Sequence, residues 1–123
     1  MAEGIASGIA NGWLDGMSGW FVQLHTANPG AAGTTSPCTG TVGGVRKAST
    51  MNAASAGSKA QSAGGSWASW DGGSVTITSI SVWTLITSGT FQFSGALTAS
   101  KAITNGDTYN QTSLSVAITP IAA

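Results

Sequence analysis

The residues able to do acid–base, nucleophilic or metal chemistry are few: one histidine (His25), one cysteine (Cys38), one tyrosine (Tyr109), four carboxylates and four basic side chains. Catalysis needs such groups to converge. Any Ser-His-Asp or Cys-His arrangement has to use His25, which falls on an alternating segment just before Asn28, Pro29 and Gly30. That position predicts a partly buried, structural histidine bonded to turn backbone. Cys38 sits between Pro37 and Thr39 in a polar stretch, where a lone thiol has no partner for an intramolecular disulfide and no base beside it. A tetrahedral zinc site draws four ligands mainly from Cys and His, and the chain holds one of each. Glu3, Asp15, Asp71 and Asp107 lie in four separate segments, each beside a glycine, which is the pattern of solvated turn acids rather than of a paired acid and base or a calcium loop. The glycine-rich TGTVGG has no following lysine and opens no helix, so it offers no phosphate cradle. The inventory predicts no catalytic residue, no metal and no cofactor.

Charge narrows the classes further. Four basic and four acidic residues in 123 give a formal net charge of zero. No basic face is available to neutralise phosphates, so nucleic acid is not expected as a partner. No run of about 20 apolar residues is present, and the N-terminus lacks the basic and apolar regions of a signal peptide, so neither a membrane span nor export is expected. A surface with so little net charge suits a free monomer poorly and points to assembly. Five tryptophans supply the large apolar surfaces that a compact domain with a thin core requires.

The elements that must carry these residues follow from periodicity. From Ala2 to Met17, Ile5, Ile9, Trp13 and Met17 recur every four residues on one helical face, and Gly4, Gly8, Gly12 and Gly16 run beside them. Each helical glycine costs about 1 kcal/mol relative to alanine. The ridge is therefore expected to gain from outside, by letting another backbone approach closely. Trp20 to Thr26 alternates as a strand. The stretch from Asn28 to Gly44 reads as a long loop and a possible contact surface. Weak strands are expected over Val45 to Met51 and Gln61 to Trp70. Clearer ones run from Val75 to Val82, with a bulge near Ser79, from Phe91 to Leu97, and from Leu114 to Ile118. Asn105, Gly106 and Asp107 form a turn between the last two.

These elements predict an all-β fold, an antiparallel β-sandwich (jelly-roll-like or Ig-like) with a short N-terminal helix. Residues 1–19 form a helical docking segment and 20–123 the sandwich. The expected core holds Val75, Ile77, Ile80, Val82, Phe91, Phe93, Leu97, Leu114, Val116 and Ile118. Trp67, Trp70 and Trp83 are expected in core packing, whereas Ile5, Gly8, Ile9, Gly12, Trp13, Met17 and Trp20 are the expected contact with a neighbouring subunit.

Four strings carry a resemblance: FVQLHTANPGAAG, VRKA, ISVW and FSGALTASKAITNGDT. In that order they resemble a family of small actinobacteriophage virion proteins described as tail-fibre-like or minor tail proteins, with similar small β proteins decorating phage capsids. The L-H-T-x-x-P-G segment (Leu24, His25, Thr26, Pro29, Gly30) and the run from Ser94 to Lys101 are its most specific parts. The glycine series departs from the leucine-rich helical leader usual there. The resemblance implies a non-enzymatic virion component assembled in the bacterial host cytoplasm and repeated as a homo-oligomer, with a trimer favoured. Its partners would be copies of itself and the phage major capsid protein, or alternatively tail proteins. The chain has no collagen-like or heptad stalk, which favours a capsid decoration protein. A minor tail or tail-fibre protein involved in host attachment is the alternative, and a carbohydrate-binding module the third reading.

Overall fold

The computed structural model describes residues 3–17, 19–118 and 122. Among these residues one helix, α1 (Ser7–Asp15), precedes nine strands: β1 (Phe21–His25), β2 (Lys47–Ala48), β3 (Thr50–Met51), β4 (Ser58–Ala63), β5 (Ser66–Trp67), β6 (Val75–Trp83), β7 (Phe91–Ile103), β8 (Tyr109–Asn110) and β9 (Ser115–Ala117). All described pairings are antiparallel. The main sheet has the order β2-β1-β6-β7, and the smaller sheets are β3-β4-β9 and β5-β8. This is the all-β sandwich with a short N-terminal helix that the alternation predicts.

The core lies between the main sheet and the smaller ones. Val22 and Leu24 of β1 and Ile77, Ile80 and Val82 of β6 meet Trp67 of β5 and Tyr109 of β8, with Met51 and Val116 packed at the margin. Val75, Phe93, Leu97 and Leu114 are half-buried against this cluster, Phe91 is half-buried against Trp83, and Ile118 is half-buried. Trp67 and Trp70 are almost completely buried, and their indole N–H groups donate to Val45 O and Gly73 O at 2.9 Å each. Two indoles thus enter the core without an orphaned donor. The expected bulge is present: Ile77 faces Lys101 but Ser79 faces Ala96, so the register shifts between them.

Two expected strands are broken. Val45 to Met51 divides at Ser49, whose N–H donates to Trp20 O at 2.8 Å and whose hydroxyl donates to Gln61 Oε1 at 2.7 Å. The chain turns there from the main sheet into β3. Gln61 to Trp70 divides at Gly64 and Gly65, and β4 begins earlier, at Ser58. A side chain at Gly64 would collide with Gln111 O, so that crossing needs the bare backbone. The helix is also shorter than its apolar spacing suggests, leaving Ile5 on a β-bridge before it, Met17 on coil after it, and residues 1, 2 and 18 of the expected segment outside the described residues.

Candidate functional site

Nine helical residues are marginal alone, so α1 depends on what holds it. Ala10 and Leu14 are its buried positions, against β4. Asn11 Oδ1 accepts the Gly57 N–H at 2.8 Å, and Asp15 Oδ1 accepts from Ala54 N at 2.9 Å and Lys59 Nζ at 2.6 Å. The Lys59 hydrogen bond, ahead of that from Ala54, lowers the Asp15 carboxyl below its ordinary range. These anchors turn the adjoining stripe outward: Ile9 is 55% exposed and Trp13 57%. Gly8 and Gly12 have open space where a Cβ would stand, so none of the described residues packs on that part of the glycine ridge.

The expected contact set therefore divides. Gly8, Ile9, Gly12 and Trp13 face solvent on α1. Ile5 is half-buried, its carbonyl accepting from Ala122 N at 2.8 Å, and Met17 packs on the core. Trp20 is buried in this chain's own core, edge-on to Phe93 with centroids 5.6 Å apart, and has little surface to offer a neighbour. Four-residue spacing identifies a stripe but cannot distinguish it from the Ala10/Leu14 stripe one residue later. The polar anchors Asn11 and Asp15 decide which one the sandwich covers.

His25 is completely buried. Its Nδ1 lies 2.8 Å from Thr35 O and its Nε2 2.7 Å from Ser81 Oγ, which also accepts the Trp83 indole N–H at 2.8 Å. A carbonyl only accepts, so Nδ1 carries the proton, and Nε2 accepts from the Ser81 hydroxyl. Burial holds the imidazole below its ordinary pKa despite the carbonyls of Thr35 and Ser36, which favour the charged form. Cys38 is buried, and loss of water pushes its thiol up to about 11, so it stays protonated near neutrality.

The loop from Asn28 to Gly44 has a hidden organiser. The Asp71 carboxylate accepts from Thr41 N at 2.8 Å, Val42 N at 2.8 Å, Gly43 N at 3.3 Å and the Thr41 hydroxyl. Led by the Thr41 hydroxyl, these donors pull its pKa to about 2. Asp71 is thus a loop clamp rather than the free turn acid its glycine neighbours suggest. Nothing in the sequence points from residue 71 to residues 41–43.

Two concavities lie elsewhere. A groove of about 790 Å³ is lined by the consecutive residues 93–99 on β7 and 108–116 opposite. Unbroken lining on both sides means that the groove follows strand edges rather than a sheet face. Gln111 on its wall keeps a buried Oε1 without a partner among the described residues. The second, about 410 Å³, is lined by Gln23, Gly44, Val45, Arg46, Ile86, Thr87 and Ser88. Arg46 stacks 3.9 Å over the Trp83 ring, and its Nη1 donates to Leu85 O at 3.0 Å and Ser88 O at 2.6 Å. Sequence reading passes over Arg46 because its stacking and carbonyl partners all come from a distant hairpin.

The fold class is thus an antiparallel β-sandwich with a helix fastened to its side, and its distinctive surfaces are an outward apolar stripe and two open concavities. The chain belongs to the family described as Podophage GP4 fiber I protein gp80, whose model matches residues 16–119. That stretch runs from just after α1 through β9. No curated protein matches the chain. The family membership supports a phage fibre-type structural protein and bears out the phage tail-fibre part of the resemblance.

Proposed function

We propose that this chain is a non-enzymatic subunit of a phage tail fibre, present in the virion as a homo-oligomer and taking part in host attachment. The family match over residues 16–119 carries the reading, because that family is described as a fibre protein. It supports the tail alternative over the capsid-decoration reading that the missing stalk favours. A non-enzymatic role is supported by His25, whose two ring nitrogens are both engaged, and by the protonated Cys38 thiol.

In this reading α1 seats on a neighbouring subunit, another copy or a tail protein beneath it. Ile9 and Trp13 present two large apolar side chains, each a little over half exposed, and covering what remains of each is worth roughly 1 to 1.5 kcal/mol. Gly8 and Gly12 let the partner's backbone come close. Quantitative mass spectrometry of purified virions, compared with particles lacking the gene, tests the role. Fixed stoichiometry in the particles together with reduced adsorption of the deletion phage is expected. Normal adsorption and no chain in the particles would overturn it.

A further inference from the structure

The Arg46 guanidinium is charged, half-buried and surrounded by neutral partners. Among the described residues the one ion pair is Lys59 with Asp15, so no carboxylate balances Arg46. Two of its five N–H donors are engaged at Nη1 by the carbonyls of Leu85 and Ser88. Nε makes a long 3.4 Å bond to Gln23 Oε1, and Nη2 has no partner among the described residues. The edge formed by Nε and Nη2 is the fork that receives a carboxylate side-on, with two parallel N–H···O bonds. Gln23, which loosely caps that fork, lines the same 410 Å³ pocket as Arg46.

The rest of the pocket is mixed. Val45 and Ile86 are exposed apolar walls, at 38% and 54%, while Thr87, Ser88 and Gln23 bring hydroxyl and amide groups. The site is also held in place. Trp83 fixes the guanidinium plane from one side, and Nη1 binds the carbonyl of Ser88, which is one of four non-glycine residues with a positive φ among the described residues (φ 56°). Strain of this kind persists where surrounding contacts impose it, often at binding sites. An apolar wall, a hydroxyl rim and a prepositioned cation suit a sugar ring that carries a carboxylate: the C–H face on Ile86 and Val45, the acid on the fork, the hydroxyls on Thr87 and Ser88. The volume is within the range of small-ligand sites and exceeds that of one ring.

We infer that the pocket between Arg46 and Ile86 binds a carboxylated sugar, with the Nε/Nη2 edge of Arg46 receiving the carboxylate. The inference deepens the attachment reading by naming the chemical class such a surface would hold, and its chemistry can be tested on the isolated protein without any virion. Loss of water around Arg46, which lowers its pKa, makes an arriving anion more welcome than at a free surface arginine.

The test is titration of the full chain with D-glucuronate, D-glucose and acetate, followed by the NMR resonances of the Arg46 Nε–H and the Thr87 and Ser88 amides. Saturable shifts with glucuronate, at least about tenfold tighter than with either glucose or acetate, are expected. Arg46→Gln should weaken glucuronate binding by at least about tenfold. Because Arg46 also ties down the 85–88 turn, Ile86→Asp serves as the second variant. It changes an exposed side chain, leaves the Nη1 bonds in place, and should abolish binding by setting a like charge on the pocket wall. Equal affinity for acetate would overturn the sugar, equal affinity for glucose would overturn the carboxylate, and wild-type binding in Ile86→Asp would overturn the site. None of these results touches the fibre reading, which stands or falls on the virion.

Discussion

Lys59 Nζ donates to Asp15 Oδ1 across 2.6 Å, joining a nearly buried lysine of β4 to the last residue of α1. With the Asn11–Gly57 bond one turn earlier, it fixes the rotation of the helix and so determines that Ile9 and Trp13, rather than Ala10 and Leu14, face outward. The apolar stripe is therefore a built feature of the fold.

Asp15→Asn keeps an acceptor for the Ala54 N–H but removes the charge that Lys59 needs. The amides of α1 should then exchange faster with solvent, while those of Val22, Leu24 and Ile80 stay protected. Acid should act likewise on the wild type. The folded-state pKa is lowered, so the anchor is at full strength above the ordinary value of 3.8 and is lost as pH falls through the lowered one. Unchanged exchange in α1 of the variant would show that Leu14 packing alone holds the helix.

Gly8→Leu with Gly12→Leu separates folding from assembly. Both sites are open, and replacing helical glycine removes a cost of about 1 kcal/mol at each. The isolated protein should melt no lower than wild type, yet enter particles less well, because the added side chains fill the ridge a neighbour approaches. Trp13→Ala should reduce incorporation by truncating the stripe itself. Full occupancy in either variant would move the interface elsewhere, first to the groove beside β7.

His25→Gln should lower stability by about 1 to 3 kcal/mol, since Ser81 Oγ and Thr35 O are buried partners of a ring that Gln cannot reproduce at both ends. Assembly below the melting temperature should persist. The histidine pKa is lowered on folding, so the unfolded chain binds the proton more readily. Stability of the wild type should therefore decline as pH falls from 6.5 toward the lowered value, then level off in this contribution. Chemical denaturation across that range checks both, with His25→Gln expected to show a flatter dependence.

The Asp71 clamp predicts an unusually acidic titration. Amide shifts of Thr41 and Val42 should follow protonation with a midpoint of about 2, rather than the ordinary 3.8. Stability from this clamp is complete above 3.8 and is lost as pH falls from there through about 2. A midpoint near the ordinary value would mean that the loop does not close on the carboxylate.

Much of the sandwich is legible in the sequence because period-two alternation survives where β-branched residues dominate, as in β6, where Ile77, Ile80 and Val82 are buried and the phase slip marks a real bulge. It fails where alanine and serine blur the pattern: the corner at Ser49 and the break at Gly64 are set by Trp20 O and Gln111 O, partners remote in sequence. His25 is legible as structural from its place beside the turn, although its complete burial depends on Ser81 across the β1–β6 pairing. The functional surfaces are least legible. Trp20 and Trp13 look equivalent as flanks of one helix, yet one is core and the other solvent-exposed. Arg46 becomes notable only when Trp83 and the 85–88 turn are brought beneath it.

Imaging the assembled virion at subunit resolution, with the chain located by its own density, tests the tail-fibre assignment most directly. Copies of this sandwich in a fibre attached to the tail, each with Ile9 and Trp13 of α1 covered by an adjacent subunit, are the expected result. Copies seated on the capsid lattice, with the tail fibres made entirely of other chains, would contradict it.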